Sequence, residues 1–289
     1  MMINTKNIVT AIIISAFLIP TIAQANTHKV KCSTQSITQK LNGVKPGDVV
    51  EVSGTCVENL VIPADMHNVT FRGNGTATIE PADPTQDTIR IRGSNIRIIG
   101  FTIKGGRDAV HVHYSGDARL ANNTIINSTR DGVIVHAGAS VRVLDSTVAN
   151  NGRHGVTATE SSSLRVGINR VGDTFARPNI IENNGREGVI SIRSSNARVI
   201  GNTIRNNGRD GIRVDRNAHA DIRANAINSN GRAAVQINVS GSIDLTGRGY
   251  APFPDNTGIN PSPIRCFHNS AILGDTTSLG GLFTDGSCF

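Results

Sequence analysis

Short runs of alternating apolar and polar residues recur through the middle of the chain. In one repeat, residues 133–135 alternate, then residues 141–143, and a third run covers residues 147–149. Gly, Asn, Asp and Ser residues separate these runs. Such alternation between turn residues predicts β-strands, and no segment of the repeat has a helical period. We therefore predict three short strands in each repeat.

A turn motif that begins with arginine recurs along the chain. The six arginines are Arg107, Arg130, Arg153, Arg186, Arg209 and Arg232. The steps between them are 23, 23, 33, 23 and 23 residues, so one repeat carries an insert near residues 167–176. A fixed period predicts a solenoid. Each strand would pair in parallel with its copy about 4.8 Å away. We predict an all-β fold, a single-stranded right-handed parallel β-helix of about eight coils, capped at both ends.

Aligned repeats predict which side chains are buried. Two apolar columns of the first strand are expected to face the core: Val110, Val133, Val156, Val189, Ile212 and Val235, then Val112, Val135, Ala158, Ser191, Val214 and Ile237. A polar column opens the third strand, and it consists of Asn123, Ser146, Asn179, Asn202 and Asn225. Stacked amides at turns are expected to bond to one another along the stack.

Both ends of the chain depart from the repeat. Lys6, the apolar run 8–19 and Ala23-Gln24-Ala25 have the order of a secretory signal peptide, residues 1–25. No later stretch approaches the length of a membrane span, so we expect a periplasmic or secreted protein. The expected domains are a β-helix with an N-terminal cap over 26–245 and an irregular C-terminal cap over 246–289. Residues 36–41 are expected to form a short capping helix.

Four cysteines lie in two pairs at the ends of the mature chain, and export permits them to form disulfides. Three pairings are possible, and the clustering favours Cys32–Cys56 and Cys266–Cys288. Zinc ligation is the alternative, but the chain has no C-x-x-C spacing.

Composition narrows the choice of partners. The chain has 289 residues, of which 38% are hydrophobic, 18% are charged and 3% are aromatic. It is therefore not a disordered chain, and the near absence of Trp and Tyr argues against a site that stacks sugars or bases. Nucleic acid is accordingly not an expected partner. Removing the signal peptide lowers the formal charge from +7 to +6. This charge favours anionic partners, and the alternative is a basic surface that only maintains solubility.

Two segments near the start, residues 46–52 (PGDVVEV) and 54–60 (GTCVENL), resemble the opening of pectin-lyase-like right-handed β-helix proteins. The N-N-G-R-[DEH]-G-[VI] turns resemble the generic repeat of that superfamily, and the resemblance covers residues 30–245. The superfamily includes pectate lyases, polygalacturonases, alginate epimerases, copper-loading periplasmic proteins and noncatalytic surface proteins. The resemblance is therefore specific for fold rather than for function.

Two columns of charged residues recur in the repeats. The turn acids are Asp87, Asp108, Asp131, Glu187 and Asp210. We expect them to bond backbone N–H groups and to pair with arginine. The alternative is that the stacked carboxylates raise one another's pKa or bind a hard cation such as Ca²⁺. A column on the middle strand, Arg97, Arg119, Arg142, Arg165 and Arg198, should point outward and ends at Asp221. Either solvent and salt compensate these charges, or an anionic polymer lies across the coils.

Histidines interrupt the repeat on the outward face of the first strand. His111 and His113 flank Val112, Tyr114 follows, His136 occupies the position of His113 one coil on, and His154 replaces a turn acid. Histidine titrates near neutrality and ligates metals, so these positions are candidates for a site, and solvated surface histidines are the alternative. The candidate catalytic residues are Asp108, His111, His113, Tyr114, Asp131, His136 and His154. Arg90, Arg92 and Arg213, together with the middle-strand column, are the candidate substrate-binding residues.

Enzymes of the resembling superfamily give three templates. Asp108, Asp131 and His154-Gly155 resemble the order in polygalacturonases, but the adjacent Asp pair and the Arg-x-Lys of that family are missing. Asp108, His111, His113 and Tyr114 could supply an epimerase-like set, although the Asp-Pro-His signature is absent. A lyase-like calcium site could use Asp87, Asp108 and Asp131 with Arg90 or Arg92 as the base, without that family's signature motifs.

From these templates we expect a protein directed at an anionic polysaccharide, as a lyase or epimerase rather than a hydrolase, with Ca²⁺ or no cofactor. The alternative is a noncatalytic envelope or surface binding protein of the same fold. Only three methionines are present, which argues against copper delivery.

Overall fold

The computed structural model describes residues 25–170, 172–246, 253–284 and 286–288, so almost all of the predicted signal peptide lies outside the described residues. A short helix, α1, covers Ile37–Lys40, and 3-10 helices cover Leu41–Gly43 and Thr277–Leu279. In chain order the strands are β1 (Thr27–Lys31), β2 (Val49–Ser53), β3 (Thr55–Val57), β4 (Leu60–Ile62), β5 (Thr70–Glu80), β6 (Ile89–Ile91), β7 (Ile96–Lys104), β8 (Val110–His113), β9 (Asp117–Ala121), β10 (Thr124–Ile126), β11 (Val133–His136), β12 (Ser140–Leu144), β13 (Thr147–Ala149), β14 (Val156–Ala158), β15 (Ser163–Val166), β16 (Ile180–Glu182), β17 (Val189–Ile192), β18 (Asn196–Ile200), β19 (Thr203–Arg205), β20 (Ile212–Asp215), β21 (His219–Arg223), β22 (Ala226–Asn228), β23 (Ala233–Asn238), β24 (Ser242–Asp244), β25 (Ser262–Cys266), β26 (Ala271–Leu273) and β27 (Leu282–Thr284).

The strands form a right-handed parallel β-helix of about nine turns, one more than the repeat predicted. In the described residues the first strands of the turns form a ten-stranded sheet. Its strands follow the chain order β4-β6-β8-β11-β14-β17-β20-β23-β25-β27. The second and third strands form another sheet. Successive turns pair in parallel at the predicted register, so Val110 lies beside Val133 and Val133 lies beside Val156. The predicted fold class is therefore confirmed.

Both predicted apolar columns face the core. Val110, Val112, Val133 and Val135 are fully buried, and Ser191 is the one hydroxyl among the two columns. The buried hydroxyl of Ser191 donates a hydrogen bond to the carbonyl oxygen of Ser195 at 3.2 Å. β-branched side chains dominate these columns because they pack well on a pleated surface.

The predicted asparagine column is a buried ladder of amides. The backbone N–H and the side-chain Nδ2 of Asn179 both donate to Asn202 Oδ1, at 3.1 and 2.9 Å. Asn202 donates in the same way to Asn225 Oδ1, and its Nδ2 also donates to the carbonyl oxygen of Val166 at 2.9 Å. A second ladder, which the sequence analysis did not single out, stands at the N-N-G turns. It contains Ser128, Asn151, Asn184, Asn207, Asn230 and Asn260.

Glycine follows the second ladder because adjacent turns approach closely there. A Cβ atom on Gly208 would overlap the carbonyl oxygen of Gly185 one turn below. The backbone N–H of Gly208 donates to the carbonyl oxygen of Asn184 at 2.8 Å in the same place. The N-N-G motif thus combines a stacked amide with the small residue that the stacking requires.

The N-terminal end is capped as predicted. Ser36 Oγ accepts from the backbone N–H of Gln39, and Glu58 accepts from the backbone N–H of Ile37 at 2.8 Å. Ile37 is fully buried and covers the first turn. The disulfide Cys32–Cys56 closes this end, and Cys266–Cys288 closes the other, as predicted from the clustering.

The C-terminal region is more regular than predicted. Within the expected irregular cap of residues 246–289, β25 pairs in parallel with β23, β26 with β24, and β27 with β25. Ile264 and Cys266 continue the core columns, because they lie beside Val235 and Ile237. The β-helix therefore extends past residue 245. No helix in the described part of the chain is long and apolar enough to cross a membrane.

The amide ladder generates a stability prediction. Replacing Asn202 with Ala should lower the free energy of unfolding by about 1–3 kcal/mol, because the buried N–H of Asn179 and the carbonyl of Val166 lose their partner. The matched control is Asn196→Ala, which makes the same change at an exposed position and should cost less than about 0.5 kcal/mol. Urea denaturation of both variants measures the difference, and equal costs would contradict the structural role of the ladder.

Candidate functional site

Three of the candidate histidines meet on the outward face of the first-strand sheet. The register places His111 beside Arg90 on one side and Ile134 on the other, and it places His113 beside His136. His111 and His113 are only 7% and 8% exposed, and His136 is half-buried. His111 and His113 are therefore not solvated surface histidines, because neighbouring rings cover them, whereas His136 stays partly exposed.

Asp87, His111 and His136 form a hydrogen-bonded chain. Asp87 Oδ2 lies 2.7 Å from His111 Nδ1, and His111 Nε2 lies 2.8 Å from His136 Nδ1. Burial alone would raise the pKa of Asp87, but His111, Arg90 and Arg107 outweigh it and hold that pKa well below its usual range. Asp87 is therefore ionised, and His111 Nδ1 donates to it. His111 Nε2 then faces His136 Nδ1.

His113 and Tyr114 complete the cluster. The ring centroids of His113 and His111 are 4.6 Å apart, and those of His113 and Tyr114 are 4.5 Å apart. Burial, together with neighbouring positive groups, lowers the pKa of His113 to about 4. Burial also lowers the pKa of His136. Both rings are therefore neutral at neutral pH. Tyr114 is exposed, and the Arg92 guanidinium lies 5.4 Å from its ring centroid.

The turn acids have the expected backbone and arginine partners. Asp108 Oδ1 accepts from the backbone N–H of Asp131 at 3.0 Å. Burial, and then the charges of Asp131 and Asp87, raise the pKa of Asp108, as expected for stacked carboxylates. Asp131 accepts from Thr157 Oγ1 at 2.9 Å and pairs with Arg153 at 3.1 Å.

His154 has a different partner from the other histidines. Its Nδ1 lies 2.8 Å from Glu187 Oε2 on the next turn, and both residues are buried. Burial would raise the pKa of Glu187, but His154 and Arg213 outweigh it and lower this pKa to about 2. Arg213 also pairs with Asp215 at 2.6 Å, so its charge is compensated within the protein.

An open groove of about 430 Å³ runs beside the histidine cluster. His111, His136 and Asp108 line it together with Arg107, Arg130 and Arg153 of the repeated turns. The turn arginines and Glu160, which also lines the groove, were not among the sequence candidates. The period of the repeat could have predicted that the three arginines lie together, because it places all three in one column.

The middle-strand arginines form an outward column in register, which we call the arginine stripe: Arg97, Arg119, Arg142, Arg165 and Arg198. Arg198 pairs with Asp221 at 3.1 Å and Arg142 with Asp117 at 3.5 Å. Burial and the neighbouring Arg177, Arg97 and Arg142 lower the pKa of Arg119. The Nε atom of Arg119 is buried and has no hydrogen-bond partner in the described part of the chain.

The insert near residues 167–176 lies against this stripe. Arg165 donates to the carbonyl oxygen of Asn169 at 2.8 Å. Asn169 and Arg170 line a cavity of about 210 Å³ with Asn95 and four arginines of the stripe, Arg97, Arg119, Arg142 and Arg165. The insert therefore forms one wall of a cavity along the arginine stripe.

Comparison with known proteins assigns the family. The model of the right-handed β-helix region matches residues 52–175 and 165–248, which is most of the chain. The chain therefore belongs to the right-handed β-helix family. Part of it, 103 residues or 36% of its length, is 26% identical to a cell surface glycoprotein of Methanothermus fervidus. The match spans 17% of that glycoprotein.

Solved structures share the fold at low sequence identity. The crystal structure of pectate lyase Pel9A has a TM-score of 0.58 and 12% identity, and the match covers 93% of this chain and 79% of the lyase. The A-module of mannuronan C-5 epimerase AlgE6 from Azotobacter vinelandii has a TM-score of 0.51 and 14% identity, over 91% of this chain and 88% of the module. At this identity the two similarities establish the fold.

The buried pair Glu187–His154 generates a pH prediction. The folded state lowers the Glu187 pKa from 4.5 to about 2, so its ionised form stabilises the fold. This contribution is complete above about pH 4.5 and is lost as the pH falls towards 2. Glu187→Gln should therefore lower the free energy of unfolding at pH 7 by about 2 kcal/mol, and the difference should shrink below pH 4.

Urea denaturation at pH 7 and pH 3 measures this effect. Glu182→Gln is the control, because Glu182 pairs with Arg205 near the surface and should contribute less than about 1 kcal/mol. A cost for Glu187→Gln that does not change with pH would contradict the assignment.

Proposed function

We propose that this protein is exported to the periplasm or the cell exterior and binds an anionic polysaccharide along the arginine stripe. The observation that carries the proposal is the crowding at Arg119, where like charges and burial act against the charged form. A polyanion laid along the stripe would relieve this repulsion. The two disulfides and the formal charge, +6 after removal of the predicted signal peptide, are consistent with an exported protein that has an anionic partner.

The geometry of the stripe favours a linear polymer over a small anion. Its five guanidinium groups lie on consecutive turns, spaced about 4.8 Å apart, which is comparable to the length of one pyranose unit. Charged groups of a uronate chain would therefore meet successive arginines. The fold similarity to a pectate lyase and a mannuronan epimerase supports a polysaccharide as the ligand.

The histidine groove supports turnover as a second candidate function. In a lyase or epimerase, a base takes the proton from the carbon next to the uronate carboxylate. In a lyase the neighbouring C–O bond then breaks and its oxygen takes up a proton, whereas in an epimerase the carbon is reprotonated from the other face. His136 and Tyr114 lie where they could move this proton, and Arg107 and Arg130 line the groove on which the carboxylate would lie.

Retention on immobilised polyuronates and glycosaminoglycans tests the binding proposal. The affinity should fall as NaCl rises. The double variant Arg119→Gln/Arg142→Gln should bind roughly 3- to 30-fold more weakly, because it removes two charge contacts. The control, Arg186→Gln/Arg205→Gln, removes the same charge from outside the stripe and should bind like the wild type.

The same panel separates a binder from an enzyme. A lyase produces unsaturated sugar that absorbs in the near ultraviolet, an epimerase changes the uronate composition, and a binder does neither. Failure to retain any polyanion, or equal losses in the two double variants, would overturn the proposed binding surface.

A further inference from the structure

We propose that His111, His113 and His136 form a binding site for one zinc ion. One ring nitrogen from each histidine lies within 4.8 Å of the others. Three imidazoles on neighbouring strands are a ligand set suited to Zn²⁺, which takes nitrogen donors at about 2.0–2.1 Å. This site is separate from the arginine stripe, and it does not depend on the proposed polysaccharide binding.

The spacing of the donors is close to what a tetrahedral ion needs. Two nitrogens bound to one zinc lie about 3.3 Å apart. His111 Nε2 and His136 Nδ1 are 2.8 Å apart, so they need to separate only slightly to admit the ion. The strands that carry them are fixed by parallel pairing between β8 and β11, so side-chain rotation alone can make the adjustment.

Asp87 orients the first of these ligands. Its carboxylate holds His111 Nδ1 at 2.7 Å, which directs the Nε2 atom towards His136. Metal-binding histidines commonly donate their second ring N–H to a carboxylate, which fixes the tautomer and makes the ligand more basic. Arg90 and Arg107 hold Asp87 in turn, each at 3.0 Å. Asp87 is thus a positioning residue for the site.

The third ligand has an unused nitrogen. His113 Nε2 is buried and has no hydrogen-bond partner among the described residues. A buried polar atom without a partner destabilises the folded state, and coordination would remove that cost.

The available donor atoms favour a nitrogen-preferring ion over calcium. A second possible cluster, Asp87, Asp108 and His111, offers the oxygens that Ca²⁺ prefers. Both of its carboxylates already contact Arg107, at 3.0 and 3.4 Å. The imidazoles are therefore the better donors, and they suit Zn²⁺ rather than Ca²⁺.

The fourth coordination position would open towards the groove that His111 and His136 line. A water molecule or a carboxylate oxygen of a ligand could occupy it. With zinc bound, the histidines are ligands, and exposed Tyr114 is the remaining member of the cluster that could move a proton.

Zinc titration of the full mature chain, without an affinity tag and after dialysis against a chelator, tests this proposal. Calorimetry should show one zinc per chain, and Co²⁺ should give the intense visible absorption of a tetrahedral nitrogen-ligated site. His113→Ala and His136→Ala should each weaken zinc binding at least tenfold, and Asp87→Asn should weaken it by about 10- to 100-fold. The control His67→Ala, at an exposed histidine, should bind as the wild type does.

Circular dichroism identifies any variant that fails to fold. If His136→Ala fails to fold, His136→Gln replaces it. Excess Ca²⁺ should not displace the zinc. The absence of stoichiometric zinc binding, or its retention in both folded ligand variants, would overturn the site. Because polysaccharide retention can be measured in the presence of a chelator, failure of the zinc site and failure of the arginine stripe are distinguishable.

Discussion

Parallel pairing between successive turns, at one constant register, is the constraint on which the rest of this structure depends. It places Val133 between Val110 and Val156, and it places Asn202 between Asn179 and Asn225. A slip of one residue would turn every inward side chain outward, so the core and the amide ladders specify the register together. The same register brings His113 beside His136 on the outer face.

Stacking identical positions also concentrates like charges, and the protein compensates them differently on its two outward faces. On the first-strand face, buried acids alternate with arginines, as in the pairs of Asp87 with Arg107 and Asp131 with Arg153. On the middle-strand face, the arginine stripe has fewer internal partners, and Arg119 is crowded by other arginines. This difference is the reason for proposing the stripe as a polyanion-binding surface and the first-strand face as a candidate for chemistry.

The repeat allowed the strands and the core columns to be predicted, because each depends on position within a short period. The disulfide pairs were predicted from the clustering of the cysteines at the two ends of the chain. The chain Asp87–His111–His136 could not be predicted in the same way, because it depends on side-chain rotamers across three turns. The burial of His111 was also missed, since alternation identifies the outward face but not what covers it. The strands after residue 245 escaped prediction because irregular segments separate them and hide the period.

The constant register has a consequence for how this surface could change during evolution. Duplication or loss of one 23-residue unit would add or remove a whole turn while each neighbouring turn kept its partners. The number of arginines in the stripe would then change by one, and the length of the proposed binding surface would change in proportion. Loops such as the one around Asn169 can vary independently, because they leave the ladders intact. The length of the stripe and the shape of the loop beside it can therefore change independently of each other in this fold.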